Sequence, residues 1–358
     1  MPQPFLTLLP LDSRAASDHQ AATEMDQFSA HLDRGWDLVQ RGDSRGAELS
    51  ARRALEIDSQ SPEAYNLLGY VSALQGDFDD AIENYHQAIA LDETYLEAML
   101  NAAEVCIHPL GEFDEAIRLC EQALDLAEND DETVDALLLC FDALLGKGDM
   151  DAARELCKRF PTGPFQNPNH SFLVGRAYYE IGDAERAAPL IETSIKTTPE
   201  NSEAFYYLGL LRDDQGDIPA ATRAFLRSRE LDLEFPLPAW SLSRETFEVT
   251  ARRAIEGLSH ELRQFLRDDE VYVADVPGVE VVVDGVDPRA ILLLDGVQPA
   301  DERDRGYVRL FIYQRNAERL AGTVEHIQGE ILAALEREIT NTLLEAERDK
   351  VMDARQLN

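Results

Sequence analysis

Lysine is nearly missing from this chain. Lys147, Lys158, Lys196 and Lys350 are the only four in 358 residues, and 33 basic side chains stand against 69 acidic ones, a formal net charge of −36. A field of that sign repels phosphate backbones and anionic headgroups, so neither nucleic acid nor a membrane surface is expected as a partner. Solubility or adaptation to salt accounts for the charge as well as a basic partner does. Cysteine is scarce too: Cys106, Cys120, Cys140 and Cys157 form no C-x-x-C and have no His at ligand spacing. That excludes a disulfide framework and a structural zinc site, and leaves small buried hydrophobes in a reducing cytoplasm. The apolar run Phe5–Leu11 (FLTLLPL) follows no Lys or Arg, is interrupted by Pro10 and precedes no cleavage-like site. It is therefore neither a signal peptide nor a span, and residues 1–27 are expected to be a flexible tail in which this run either docks or does nothing. There is no G-x-S-x-G, no P-loop and no G-x-G-x-x-G.

What is present is a period. Gly42 and Gly76 lie 34 residues apart, and Gly148, Gly182 and Gly216 repeat that step twice. Five residues after each glycine comes a small residue, as in Ala47, Ala81, Ala153, Ala187 and Ala221; Ala116 fills that place in the third repeat. The clearest unit is PEAYNLLGYVSALQGDFDDAIENYHQAIALDETY (Pro62–Tyr95). Tyr65, Leu68 and Gly69 share one stripe of a first helix, and Ala81, Tyr85 and Ala88 one stripe of a second. Gly69 and Ala81 are small where the helices must approach, and Gly76-Asp77 breaks the chain between them. This spacing resembles the tetratricopeptide repeat, which implies a right-handed α-solenoid of helix pairs with first helices lining a concave face. Six repeats are expected, near 28–61, 62–95, 96–130, 134–167, 168–201 and 202–235, with insertions in the third at Ile107–Ala116 and after Leu126.

The stripe facing the groove offers Leu32, Trp36 and Val39; Asn66, Tyr70 and Ala73; Leu100, Glu104 and Ile107; Phe172, Arg176 and Tyr179; and Glu203, Tyr206, Leu210 and Asp213. Repeat proteins that clamp acidic chaperone tails carry Lys, Arg and Asn here, a pattern absent from this chain. Trp36, Asn66, Tyr70, Phe172, Arg176, Tyr179 and Tyr206 instead suit an extended or helical protein segment with apolar anchors and a basic flank. The same aromatics would also serve to pack neighbouring repeats.

FPLPAW (Phe235–Trp240) ends the repeat signal, with 236–240 as linker. Beyond it, 241–358 reads as an α+β domain: a helix over Phe247–Leu266, strands at VYVADV, VEVVVDG and Tyr307–Gln314, a turn at Ile291–Val297, and a final helix from about Glu325 to Lys350. The whole is mainly α, a solenoid followed by a small α+β domain. That order of elements resembles the minimal zincin-type bacterial metallopeptidases, whose last helix carries H-E-x-x-H. The resemblance places this motif on Arg337, Glu338 and Asn341, so Glu is kept while both ligand positions are lost. A non-enzymatic cytoplasmic scaffold with a metal-free, peptidase-like domain and no cofactor is the expectation. An active hydrolase with repeats recruiting substrate, and an assembly chaperone whose last domain only caps the array, remain open beside it.

Overall fold

The computed structural model describes residues 12–264, 266–297 and 307–356. FLTLLPL lies outside them. By its contacts the chain divides into one compact unit up to Leu190 and a second from Ile191 onward.

The first unit is built from helical hairpins: α1 (Asp12–Gln40) with α2 (Ser44–Ile57), α3 (Pro62–Gln75) with α4 (Phe78–Leu91), α5 (Leu96–Val105) with α6 (Phe113–Leu126), and α7 (Asp130–Lys147) with α8 (Met150–Leu156). Helices α9 (His170–Glu180) and α10 (Ala184–Thr197) fill the fifth repeat. Each hairpin starts and stops for local reasons. Asp43, Ser61 and Asn129 accept backbone N–H bonds at the starts of α2, α3 and α7, replacing partners the first turn lacks. Gly76 closes α3 at φ 84, a conformation that a Cβ disfavours, and Gly42, Gly148, Gly182 and Gly216 repeat it. A Cβ on Gly69 would lie 2.7 Å from Tyr85 Cδ1, so the glycine is what lets α3 meet α4.

One expectation is corrected here. The segment expected to be a tail is helical from Asp12, because 12–34 contains neither Pro nor Gly and is rich in Ala. The insertion of the third repeat is a π-helical turn at Cys106–Leu110, which carries Pro109 and closes through Glu112 N–H to Cys106 O at 2.7 Å.

The second unit joins the sixth hairpin, α11 (Ser202–Asp214) and α12 (Ile218–Glu234), to everything after the proline-rich segment. There follow α13 (Arg244–Glu256), α14 (His260–Arg263), β1 (Leu266–Ala274), α15 (Val279–Val283), β2 (Leu292–Val297), β3 (Tyr307–Tyr313), α16 (Gln314–Ala321) and α17 (Val324–Gln356). The sheet order is β1-β3-β2, with β1 parallel and β2 antiparallel to β3. Alternation along β3 sends Leu310 and Ile312 into a core with Phe247, Ala251 and Ile255 of α13 and Ile327, Ile331, Leu335 and Ile339 of α17. On the opposite face Phe311 stacks on Tyr272 at 5.2 Å between centroids.

Three readings of this part change. VEVVVDG is not a strand: Val279–Val283 is one helical turn with only Val282 buried, held between Pro277-Gly278 and Gly285 at φ 100. Its valines do not alternate, and the bounding turns leave too few residues for a ladder. ILLLDGV is a strand rather than a turn, since it pairs with β3 from Leu292↔Ile312 to Val297↔Tyr307. The single helix expected over Phe247–Leu266 breaks at Gly257, and Ser259 leads into the separate turn α14.

Candidate functional site

In the first unit the first-helix stripe divides into residues that are spent on packing and residues that remain available. Asn66 belongs to the first group: it is fully buried, donates to Tyr95 Oη at 3.2 Å and Glu97 Oε1 at 3.3 Å, and accepts from Asn101 Nδ2 at 3.0 Å. A side chain so engaged ties one repeat to the next and is unavailable to a ligand, which corrects its assignment to the groove. Burial pushes the Tyr95 hydroxyl up to about 12. Phe172 is likewise buried, and Tyr179 half-buried.

Arg176 is half-buried and pairs with Asp142 at 3.2 Å. Burial raises the Asp142 carboxyl above its ordinary value, against the opposing pull of Arg176 and His108. Asp142 belongs to the fourth repeat, where Cys140-Phe141 stand in place of Leu-Gly; that loss of register is why the sequence reading of the stripe passes over it.

The available part is Trp36 and Tyr70. Both are half-buried, and their rings meet edge-on at 5.4 Å and 61°. Tyr70 lines an open cleft of about 240 Å³ with Ala73, Leu74, Glu104 and His108 among its walls. A larger cleft of about 600 Å³ lies between the second helices α4 and α6, but its cations are already matched: Arg118 and His86 both pair with Glu115.

In the second unit the same stripe is occupied from within the chain. Tyr206 donates to Asp287 Oδ2 at 2.8 Å, and the Arg289 guanidinium lies over its ring at 4.4 Å. Arg289 also pairs with Glu203 at 2.6 Å and with Asp232 at 3.3 Å. Burial would lower the Arg289 pKa, but its bond to Glu203 and the pair with Asp232 outweigh this and hold it above its usual value. Asp232 is buried and takes a second cation, Arg319, at 2.9 Å. Tyr206 is therefore committed to packing, the role that its aromatic character equally allowed. Nothing in the sequence announces the pairing, because Asp287 lies 81 residues away in an ordinary Asp-Pro turn.

The residues aligned with H-E-x-x-H sit on α17 away from its core stripe. Arg337 donates to Glu338 at 3.0 Å, and Arg337 and Asn341 are exposed. A guanidinium cannot ligate zinc, so these residues do not fit the metal that the resemblance implies. Among the described residues no group of three or more His, Cys, Asp or Glu is placed to hold a metal ion. The four cysteines are buried, with thiols pushed up by burial to about 11 for Cys106 and Cys140 and about 12 for Cys157, away from nucleophilic thiolate chemistry.

Three family profiles, each described as tetratricopeptide repeat, match residues 62–95, 110–169 and 173–232. The chain carries tetratricopeptide repeats. Such repeats are generally protein–protein interaction scaffolds. Among solved structures, PilF of Pseudomonas aeruginosa is similar at TM-score 0.50 and 18% identity, over 58% of this chain and 93% of that one. PilW, a type IV pilus biogenesis factor, gives TM-score 0.49 and 16% identity over 62% and 97%. At these identities the likeness concerns the repeat fold alone. No curated protein sequence matches. No helix among the described residues is long and apolar enough to cross a membrane.

Proposed function

We propose that this protein is a non-enzymatic adaptor whose first unit grips a protein segment with apolar anchors and a basic flank. The observation that carries this reading is the Trp36–Tyr70 pair beside an open cleft that also contains Glu104. Half-buried aromatics at a cleft offer apolar area and a polar rim together, the composition of binding hot spots. The test is a random dodecamer display panned against the full chain and against Trp36→Ala and Tyr70→Ala. Sequences enriched on the wild type and lost on both variants support the reading; equal enrichment on all three removes it.

The C-terminal layer is a metal-free relative of the zincin peptidases in this reading, without turnover. Its support is Glu338, retained where both ligand positions hold Arg337 and Asn341, and not the element order, in which α15 and β2 replace the strand and the turn of the resemblance. Stoichiometric zinc in the purified protein, or cleavage of a peptide substrate, would end it. A capping role for the same layer is favoured by Arg289, which fastens it to the sixth hairpin.

A further inference from the structure

We propose that the cleft beside Tyr70 is an arginine-reading pocket, taking the guanidinium of a partner segment between the tyrosine ring and the Glu104 carboxylate. The proposal rests on the adaptor reading and names the chemistry of its basic flank.

Three independent observations converge on it. The first is an unmatched charge. Glu104 is exposed at the cleft and has no hydrogen-bond or ion-pair partner among the described residues, whereas Asp142, on the same stripe of the next first helix, already holds Arg176. Among the described residues, the ionisable side chains besides Glu104 in the cleft wall are Tyr70, Tyr85 and His108, and burial raises the Tyr85 hydroxyl so far that it stays neutral. The second is shape. A volume of about 240 Å³ holds one extended side chain, and its walls include the apolar Leu74, Val105 and Pro109. Such a wall suits the methylene stem of an arginine whose head stays at the rim.

The third is a precedent within the molecule. In the second unit this chain satisfies the same kind of stripe aromatic with its own arginine: the Arg289 guanidinium lies 4.4 Å from the Tyr206 centroid and 2.6 Å from the Glu203 carboxylate. Tyr206 has the Phe225 ring at 5.8 Å, as Tyr70 has Trp36 at 5.4 Å. A tyrosine, a carboxylate and a neighbouring ring occur in both places, with Glu203 on the same helix as Tyr206 and Glu104 on the first helix of the hairpin that follows the one bearing Tyr70, and among the described residues no arginine lines the cleft beside Tyr70. A planar guanidinium stacks on a ring and bonds a carboxylate at once, which an ammonium does less well, so arginine is preferred over lysine.

The experiment is methyl NMR on the full chain, following Leu74 and Val105, titrated with N-acetyl-arginine amide and with N-acetyl-citrulline amide, which keeps the shape and removes the charge. Saturable shifts with the arginine probe and none with citrulline are expected. Glu104→Gln, an exposed isosteric change, should weaken the arginine probe by roughly tenfold, and Tyr70→Leu by at least as much. Equal shifts from both probes, no shift from either, or an undiminished response in Glu104→Gln would overturn the proposal. Failure here stays separable from failure of the adaptor reading. Display-selected peptides that need Trp36 and Tyr70 but contain no arginine would leave the adaptor standing and this pocket refuted.

Discussion

Replacing Arg289 by Ala should loosen the second unit. Its side chain is 12% exposed and Asp232 beside it 5%, so the substitution strips a buried carboxylate of one of two cations. Removing one partner of a buried ion pair costs about 3–5 kcal/mol. Arg319 stays on Asp232 at 2.9 Å but is itself 36% exposed, which puts the cost at the lower end. Glu203 is 46% exposed and regains water, so its lost pair adds only about 0–1 kcal/mol. The stack on Tyr206 adds about 1 kcal/mol. The sum is about 4 kcal/mol, and at about 2–4 °C per kcal/mol for a unit of this size the melting temperature should fall by roughly 8–16 °C. Calorimetry of the full chain reads this directly. Arg289→Lys, which keeps charge but loses the fork, should fall about half as far. If Arg289→Met melts with the wild type, the residue contributes volume rather than charge and the reasoning fails.

Further outcomes follow from other positions. Asn66→Ala should cost about 1–3 kcal/mol in urea unfolding by leaving Tyr95 and Asn101 short of a partner, while affinity for any display-selected peptide stays unchanged; a loss of affinity at constant stability would return Asn66 to the groove. Gly69→Ala drives a methyl toward the Tyr85 ring and should cost about 1–3 kcal/mol, with Tyr85→Leu in the same chain recovering part of it; a neutral Gly69→Ala would mean that α3 and α4 are less tightly apposed than described. Asp142 has its folded pKa above the unfolded value, so the folded state holds the proton more tightly and the contribution to stability falls as pH rises from the unfolded value through the folded one. Stability of Asp142→Asn relative to wild type should therefore grow across that window, and a difference that is flat or shrinks contradicts burial as the dominant cause.

The sequence disclosed whatever depends on local chemistry. The 34-residue glycine register located the hairpin turns because a left-handed residue is needed at each one, and Gly69 marked a close helix crossing that the Tyr85 ring confirms. The apolar face of α13 could be read from Phe247, Ala251 and Ile255 for the same reason. What escaped depends on neighbours distant in sequence. Asn66 resembled a groove residue until Tyr95, Glu97 and Asn101 came around it from the next repeat. Tyr206 resembled a ligand anchor until Asp287 and Arg289 arrived from the α15–β2 turn. Val279–Val283 misled for a different reason: β-branched composition signals a strand only when both edges and enough length are available, and one turn between two glycines supplies neither.

The most direct measurement compares two tyrosines on the same stripe. A display-selected peptide is titrated against wild type, Tyr70→Ala and Tyr206→Ala by fluorescence anisotropy, with a melting curve for each protein. The account predicts that Tyr70→Ala loses affinity by about thirtyfold, equivalent to about 2 kcal/mol, at an unchanged melting temperature. It predicts that Tyr206→Ala keeps the affinity and melts lower, because its ring supports Arg289. An unchanged affinity for Tyr70→Ala together with a lowered melting temperature would contradict the central claim that this tyrosine faces a partner.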